Sequence, residues 1–167
     1  FVCYTLVHRR IYPRLLFNLL FTLDRGFIMG LDQYATARRG QPVKHEERYE
    51  VTDTEGNVSE EVDVYYSYED SIELAYWRKH PNLQGWMQDL YYEKGGEGEF
   101  NCVDLELTLE DLDALEATLD EEELPETVGF FFGSNADDHY AETDREFIRE
   151  ARAAIKQGYT VVYSSWW

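Results

Sequence analysis

One short stretch of the chain gathers the side chains best suited to holding a small anion. It places three potentially cationic groups between two tryptophans: Trp77, Arg78, Lys79, His80, Asn82 and Trp86. Cations pair with phosphate or carboxylate, and an aromatic ring stacks on a planar base. A helix capped by Asn82 after Pro81 would add an anion-attracting N-terminus. The stretch predicts a site for a small anionic or nucleotide-like ligand; alternatively, the tryptophans are core residues and the cations balance nearby carboxylates.

A second group combines carboxylates and a histidine at short spacing: Asp137, Asp138, His139 and Glu142. These groups could ligate a divalent metal, which would suit a small metal-dependent hydrolase. The same residues also suit the N-cap and acidic first turn of a helix, and we favour that interpretation. Ser164 and Ser165 lie in no nucleophile-elbow motif. We therefore predict no catalytic residue, no cofactor and no resident metal, with the hydrolase kept as a second alternative.

Charge restricts the possible partners. The chain has 34 acidic against 15 basic residues and a formal net charge of −19. Such a field repels nucleic acid and anionic lipid, so we expect neither a nucleic-acid nor a membrane partner. A small anionic ligand or a host protein remains; an acidic module that blocks a basic protein partner is the first alternative function. Adaptation to a high-salt cytoplasm would explain the same acidity, and the oligomeric state stays open.

The first 28 residues differ from the rest. They carry four arginines against Asp24 alone and include an apolar run over 15–21. That run is too short to span a bilayer, and no small-residue cleavage site follows it. We expect residues 1–28 to be an upstream or leader segment outside the fold, and 29–167 to form one domain. With only two cysteines, Cys3 and Cys102, a disulfide framework is not expected, and we predict a cytoplasmic protein.

Patterning predicts a mixture of strands and helices. Expected strands cover 29–37, 47–51, 58–66, 100–107, 128–133 and 159–167; expected helices cover 70–80, 82–94 and 140–157, and a further helix, capped by Thr108, carries an apolar stripe from Leu109 to Leu119. A turn over 53–57 joins the second and third strands as a hairpin. Cys102, inside a predicted strand, is expected to be a small buried residue. The result is an α+β domain with a mainly antiparallel sheet and about four helices packed against it.

Several motifs together resemble a family of small phage and prokaryotic proteins. They are, in order, Met29 to Asp32, Tyr76 to His80 with Trp86, Asn101-Cys102, Gly129 to Ser134 and Tyr163 to Trp167. The resemblance covers 29–167 and implies a compact domain of phage or prokaryotic origin, with no activity transferred. Some members carry the label phosphoglycerate kinase. That label does not suit this chain, which lacks the length and the nucleotide-binding lobe of that enzyme.

Overall fold

The protein is described here from a computed structural model that covers residues 30–129 and 137–167, without the side chains of 137–139. Its elements, in chain order, are β1 (Asp32–Arg39), β2 (Val43–Thr52), β3 (Val58–Ser67), β4 (Asp70–Arg78), α1 (Pro81–Glu93), β5 (Leu105–Leu107), α2 (Leu109–Asp120), α3 (Asp137–Lys156) and β6 (Thr160–Trp166). The α+β class and the mainly antiparallel sheet are confirmed. The expectations for residues 1–29 and 130–136 lie outside the described residues.

Four strands form the main sheet, in the order β4-β1-β6-β5, and every neighbouring pair is antiparallel. Helices α1, α2 and α3 contribute apolar residues to a core on one face of this sheet. Its largest fully buried side chains include Trp77, Tyr163, Phe100, Phe147 and Leu83. We call this sheet with its three helices the body. None of the described helices is both long and apolar enough to cross a membrane.

Residues 70–80 do not form the predicted helix. Residues 70–78 are strand β4, which pairs with β1 from Asp32–Arg78 to Arg39–Asp70. An irregularity between Ala35 and Thr36 shifts the register, so the period-two alternation of β4 is interrupted. Glu, Leu and Ala in this segment favour a helix locally, and pairing with a buried strand overrides that preference. The described residues therefore contain three helices, where about four were expected.

Other boundaries were predicted more closely. Helix α2 begins after Thr108, whose hydroxyl accepts from the Asp111 amide at 3.2 Å while the Asp111 carboxylate accepts from the Thr108 amide at 2.7 Å. This reciprocal pair is a capping box. Strand β5 is shorter than predicted, and Cys102 is exposed with φ 60°, so its predicted burial in a strand is wrong. Val128, predicted to begin a central strand, lies exposed and outside any strand.

The hairpin of β2 and β3 is confirmed and longer than expected. Its two strands pair over Val43–Ser67 to Thr52–Val58 as a separate two-stranded sheet, and we call residues 43–67 the arm. Ten residues per strand correspond to a length of about 33 Å. The arm continues the β1–β4 pair through a bend at Gly40, where φ is 92° and a β-carbon would lie 2.7 Å from the Glu69 Cβ. Glycine is therefore needed at this junction.

Candidate functional site

The predicted ligand stretch forms a sharp corner between β4 and α1. His80 is the residue that precedes α1, and Pro81 is its first helical residue, so Asn82 is not the N-cap that we predicted. Lys79 has φ 62°, an unusual conformation for a residue other than glycine, and its amide donates to the Leu31 carbonyl at 2.8 Å. The sharp turn therefore depends on the unusual backbone conformation of Lys79, which is held by its hydrogen bond to the residue before β1.

The inner side of the corner is bound to helix α3 through one carboxylate. Asp144 is buried; its Oδ1 accepts from the Trp77 Nε1 at 2.7 Å, and its Oδ2 lies 3.0 Å from the His80 Nε2. Trp77 and His80 are both 0% exposed. Tyr140 stacks on the His80 ring at 4.8 Å and donates its hydroxyl to the Arg78 carbonyl at 2.5 Å. Trp77 and His80 thus join the corner to α3 and present no surface to solvent.

A second set of buried hydrogen bonds fixes the corner to the sheet. Gln33 donates its amide nitrogen to the His80 carbonyl at 3.1 Å and accepts from the His80 amide at 3.0 Å. The same nitrogen donates to the Tyr163 hydroxyl at 2.8 Å, which in turn donates to Gln84 at 2.7 Å. Burial raises the pKa of the Tyr163 hydroxyl. Because each of these polar groups has a partner, the network fixes the corner in one arrangement.

Asn82 and Trp86 point toward different neighbours. Asn82 is buried and its Oδ1 accepts from the Thr127 amide at 2.9 Å. The Trp86 indole donates to the Thr118 hydroxyl on α2 at 3.2 Å. The two tryptophans therefore do not form one stacking wall: Trp77 faces α3, whereas Trp86 faces α2.

The outer side of the corner brings Arg78 and Lys79 together. Arg78 Nη1 donates to both carboxylate oxygens of the buried Asp32, at 2.7 and 2.9 Å. The Tyr76 hydroxyl and this carboxylate raise the pKa of the guanidinium. Burial and its own hydrogen bond to Asp32, at 2.5 Å, raise the pKa of Tyr76 to about 12. Arg78 therefore already forms a salt bridge with a carboxylate of the protein itself.

Lys79 lies beside the backbone of Gly30. A β-carbon on Gly30 would lie 2.9 Å from the Lys79 Cε and 3.4 Å from the Arg78 Nη2. Trp166 pairs in register with Asp32 from the opposite side of β1 and is 41% exposed. Among the described residues Lys79 forms no salt bridge. Of the six predicted site residues, Arg78 and Lys79 are the two that this outer side of the corner brings together.

The predicted metal-ligating group falls mostly outside the described side chains. Glu142 is exposed on α3, and Asp137, Asp138 and His139 form the first turn of that helix. This position agrees with the helix-start interpretation of the sequence. Among the side chains that the structure describes, no cluster of three or more His, Cys, Asp or Glu residues could hold a metal ion.

A surface hollow of about 340 Å³ lies between the end of α1 and the start of α2. Its only cation, Lys94, donates to the Glu106 carbonyl at 2.7 Å and also binds Asp111. These bonds, together with those from Thr108, lower the pKa of Asp111, although burial alone would raise it. The lysine of the hollow is thus already paired with Asp111 and with a backbone carbonyl.

One face of the arm carries a row of apolar side chains that are exposed to solvent. Val62, Val64 and Tyr66 alternate along β3 and therefore lie on one face, where they are 43, 48 and 52% exposed. Within residues 30–129 and 137–167, the two strands of the arm pack extensively only against each other. Isolated two-stranded ribbons are marginally stable in water. An exposed apolar row on such a ribbon points to contact with another surface.

The opposite face of the arm is polar and ordered. The Tyr49 hydroxyl donates to Glu61 and Asp63, both at 3.2 Å, and His45 stacks on Tyr65 at 5.0 Å. The hydroxyl's local burial, followed by the bonds to Asp63 and Glu61, raises the pKa of Tyr49 to about 12. The whole arm has eight acidic residues and two basic ones, Lys44 and Arg48. The arm therefore presents an apolar row in a negative field.

The comparisons with known proteins assign no family. The chain was compared with models of protein families, with curated proteins and with solved structures, and none of the three comparisons found a match. The sequence reasoning missed Asp144 and Gln33, whose burial only the fold reveals. It also identified the hairpin without noticing that β3 alternates apolar and acidic residues on a ribbon with little cover, although that alternation is visible in the sequence.

Proposed function

We propose that the protein is a non-catalytic interaction module that binds a partner protein through its arm. The observation that carries this proposal is the exposed row of Val62, Val64 and Tyr66 on a ribbon against which no other described element packs extensively. The body exposes some apolar side chains as well, but helices cover its core, whereas the row on the arm lies at alternate positions of one strand with no helix against it. A partner that covers this row would remove apolar surface from water and would stabilise the ribbon.

Charge favours a basic partner. Eight acidic residues against two basic ones give the arm the same sign as the whole chain, whose net charge is −19. Complementary charge speeds encounter and suppresses wrong partners. A basic protein surface suits this field better than a nucleic acid or an anionic membrane. The proposal thus develops the acidic interaction module that the sequence offered as an alternative, and the resemblance to phage and prokaryotic proteins stays a prediction.

An arm-deleted variant tests the proposal. Residues 43–67 are replaced by an Asn-Gly turn, and both proteins are used to capture partners from a bacterial or archaeal lysate at low and high salt. A captured protein is then purified and titrated against each by calorimetry. We expect deletion to weaken the purified interaction by at least about a hundredfold. Exposed Tyr92 on α1 provides the control Tyr92→Ser, which keeps full affinity. Full affinity without the arm would refute the proposal.

A second candidate function is the binding of a small anion at the outer corner. It is favoured by Lys79, which has no salt bridge among the described residues and lies beside Gly30 and Arg78. Thermal shift against phosphate and nucleotides tests this candidate with Lys79→Ala, because Arg78→Ala would also release the buried Asp32. We expect a phosphate-dependent shift that is lost in Lys79→Ala and kept in Lys156→Ala. A shift that survives Lys79→Ala would exclude the corner.

The metal-dependent hydrolase remains a prediction from the sequence alone. It rests on Asp137, Asp138, His139 and Glu142, of which only the exposed Glu142 has a described side chain. Metal analysis of the purified protein tests it: less than a stoichiometric amount of bound ion would remove the hypothesis.

A further inference from the structure

The two outer edges of the arm differ in their protection against pairing with another strand. Strand β2 carries Lys44 and Arg48, and charged side chains of this kind, Lys above all, are a common protection of exposed edges. Strand β3, with the sequence VSEEVDVYYS, has no lysine, arginine, proline or glycine. Its valines and tyrosines favour strands. Among the described residues no strand pairs with the outer edge of β3.

Backbone geometry shows which groups of β3 face outward. At the turn, the Asp53 amide donates to the Asn57 carbonyl at 3.0 Å, so the backbone groups of these two residues point toward each other, between the two strands. In an antiparallel ladder, hydrogen-bonded and non-bonded pairs alternate. The pairs Val51–Ser59 and Tyr49–Glu61 therefore exchange bonds, whereas the amides and carbonyls of the even-numbered β3 residues point away from β2. Val62 and Val64 thus offer their backbone groups to a third strand.

Side chains along β3 specify what that third strand would carry. On one face lie Val62, Val64 and Tyr66; on the other lie Glu61 and Asp63. A strand added to this edge would place alternate side chains on these two faces. Apolar side chains would pack against the valines and Tyr66, and basic side chains would pair with the two carboxylates.

A second copy of the chain does not suit the same edge. Pairing β3 with β3 would bring Glu60, Glu61 and Asp63 of one chain against the same acidic residues of the other. Like charges on neighbouring strands are destabilising. Charge thus selects a different, basic occupant.

We propose that the outer edge of β3 accepts, as a third strand of the arm, an extended segment of a partner protein in which basic and apolar residues alternate. This inference rests on the proposed function and names its mode of binding and the chemistry of the partner. Main-chain hydrogen bonds supply affinity in such strand addition, and the alternating side chains supply specificity.

The probe is a capped peptide of about nine residues in which Lys and Val alternate, a length that matches one strand. A shuffled peptide of the same composition is the control for charge alone. Binding to the full chain is measured by fluorescence anisotropy, and hydrogen exchange of the arm amides is followed by NMR. We expect the alternating peptide to bind about tenfold or more tighter than the shuffled one. We also expect the outward amides of Val62 and Val64 to gain protection.

Proline variants of two residues that pair with each other, one on β2 and one on β3, compare the two outer edges of the arm. Val62 and Arg48 are direct partners whose amides both point outward, so proline at either removes no ladder bond. Val62→Pro is expected to abolish the preference for the alternating peptide, whereas Arg48→Pro keeps it. A Tyr49 pKa that stays near 12 in both variants shows that the arm is still formed. A charge-swapped variant, Glu61→Lys with Asp63→Lys, is expected to prefer an alternating Glu–Val peptide.

Several outcomes would overturn the inference. Equal binding of alternating and shuffled peptides would show that charge alone accounts for the binding. Protection of outward β2 amides would assign binding to the other edge. A dimer of the chain alone, lost in Val62→Pro, would assign the edge to a second copy. If deletion of the arm weakens the purified partner but Val62→Pro does not, only strand addition fails; if arm deletion has no effect, the proposed function fails as well.

Discussion

The body and the arm are both built from antiparallel strands, yet they differ in what lies against their faces. In the body, helices cover one face of the sheet, and buried polar groups such as Gln33 and Asp144 bond across the interface. In the arm, the apolar row of Val62, Val64 and Tyr66 meets solvent. The same chain thus contains one region whose apolar core is covered by helices and one whose apolar row has no such cover among the described residues.

This difference changes where function is to be sought. The cations and tryptophans at 77–86 suggest a binding site in the sequence, but Trp77 and His80 connect β4 to α3, and Arg78 neutralises Asp32. A residue type suited to binding is equally suited to joining elements, and burial decides between the two roles. The arm, with few groups of chemical interest, is left with unused apolar surface and open backbone edges.

The largest expected effect concerns the buried carboxylate of the body. Asp144→Ala removes the partner of both the Trp77 indole and the His80 ring, and each buried donor left unsatisfied costs about 1–3 kcal/mol. We expect a loss of about 3 kcal/mol in the free energy of unfolding, measured by urea denaturation. Exposed Glu142 on the same helix gives the matched control Glu142→Ala, with a change within about 0.5 kcal/mol. Equal effects would show that the corner is not held by Asp144.

The next effect is a pH dependence of stability that arises from a buried tyrosine of the body. Burial raises the pKa of Tyr163, so the neutral phenol is favoured in the folded state. Its contribution is fully present below the unfolded pKa of about 10 and is lost as the pH rises above it. The free energy of unfolding should therefore fall in this range by up to about 1.4 kcal/mol per pH unit from this group.

Tyr163→Phe checks this expectation. At neutral pH the variant is less stable, because the hydroxyl's bonds with Gln33 and Gln84 are lost. Above pH about 10 the difference from the wild type should shrink, since the variant has no phenol to ionise at this position. Unfolding in urea at a series of pH values measures both slopes. Ser164→Ala, which changes no titrating group, should keep the wild-type slope; parallel curves for Tyr163→Phe would contradict the prediction.

The sequence could predict what is local and could not predict what depends on distant contacts. The helix start at Thr108 and the hairpin around 53–57 are signalled by residues within a few positions of each other, and both predictions are confirmed. Strand β4 was predicted as a helix because its pairing with β1 and its register irregularity are tertiary features. The sequence offered core tryptophans and paired cations at the corner as an alternative but could not name Asp144 as the partner, since His80 and Asp144 are 64 positions apart.

The solvent exposure of the arm likewise could not be predicted from the sequence. Its strands were predicted from alternation and turn residues, yet exposure depends on whether another element packs on the ribbon, which no local pattern contains. The acidic side chains of β3 and its lack of lysine, arginine and proline are visible in the sequence. These features indicate an edge open to pairing with another strand only when β3 is known to lie at the edge of its sheet.

The smallest expected effect on stability concerns Tyr49, which reports whether the arm is formed without a partner. Its hydroxyl donates to Glu61 and Asp63, and those contacts exist only when β2 and β3 are paired. We expect a pKa of about 12 in the isolated chain. In the double variant Glu61→Gln and Asp63→Asn the pKa should move down toward 10.0, the ordinary value, because the neutral phenol loses two carboxylate acceptors.

NMR titration of the tyrosine Cζ carbons measures this pKa, with Tyr49→Phe assigning the signal. The unfolding curve of the body should stay unchanged in the double variant, because both carboxylates lie in the arm, whose strands pack extensively only against each other among the described elements. If wild-type Tyr49 already titrates near its ordinary value of 10.0, the strands of the arm are unpaired in the free chain. The arm would then form its ribbon only on a partner, and the contrast with the body would become one between a folded region and one that folds on binding.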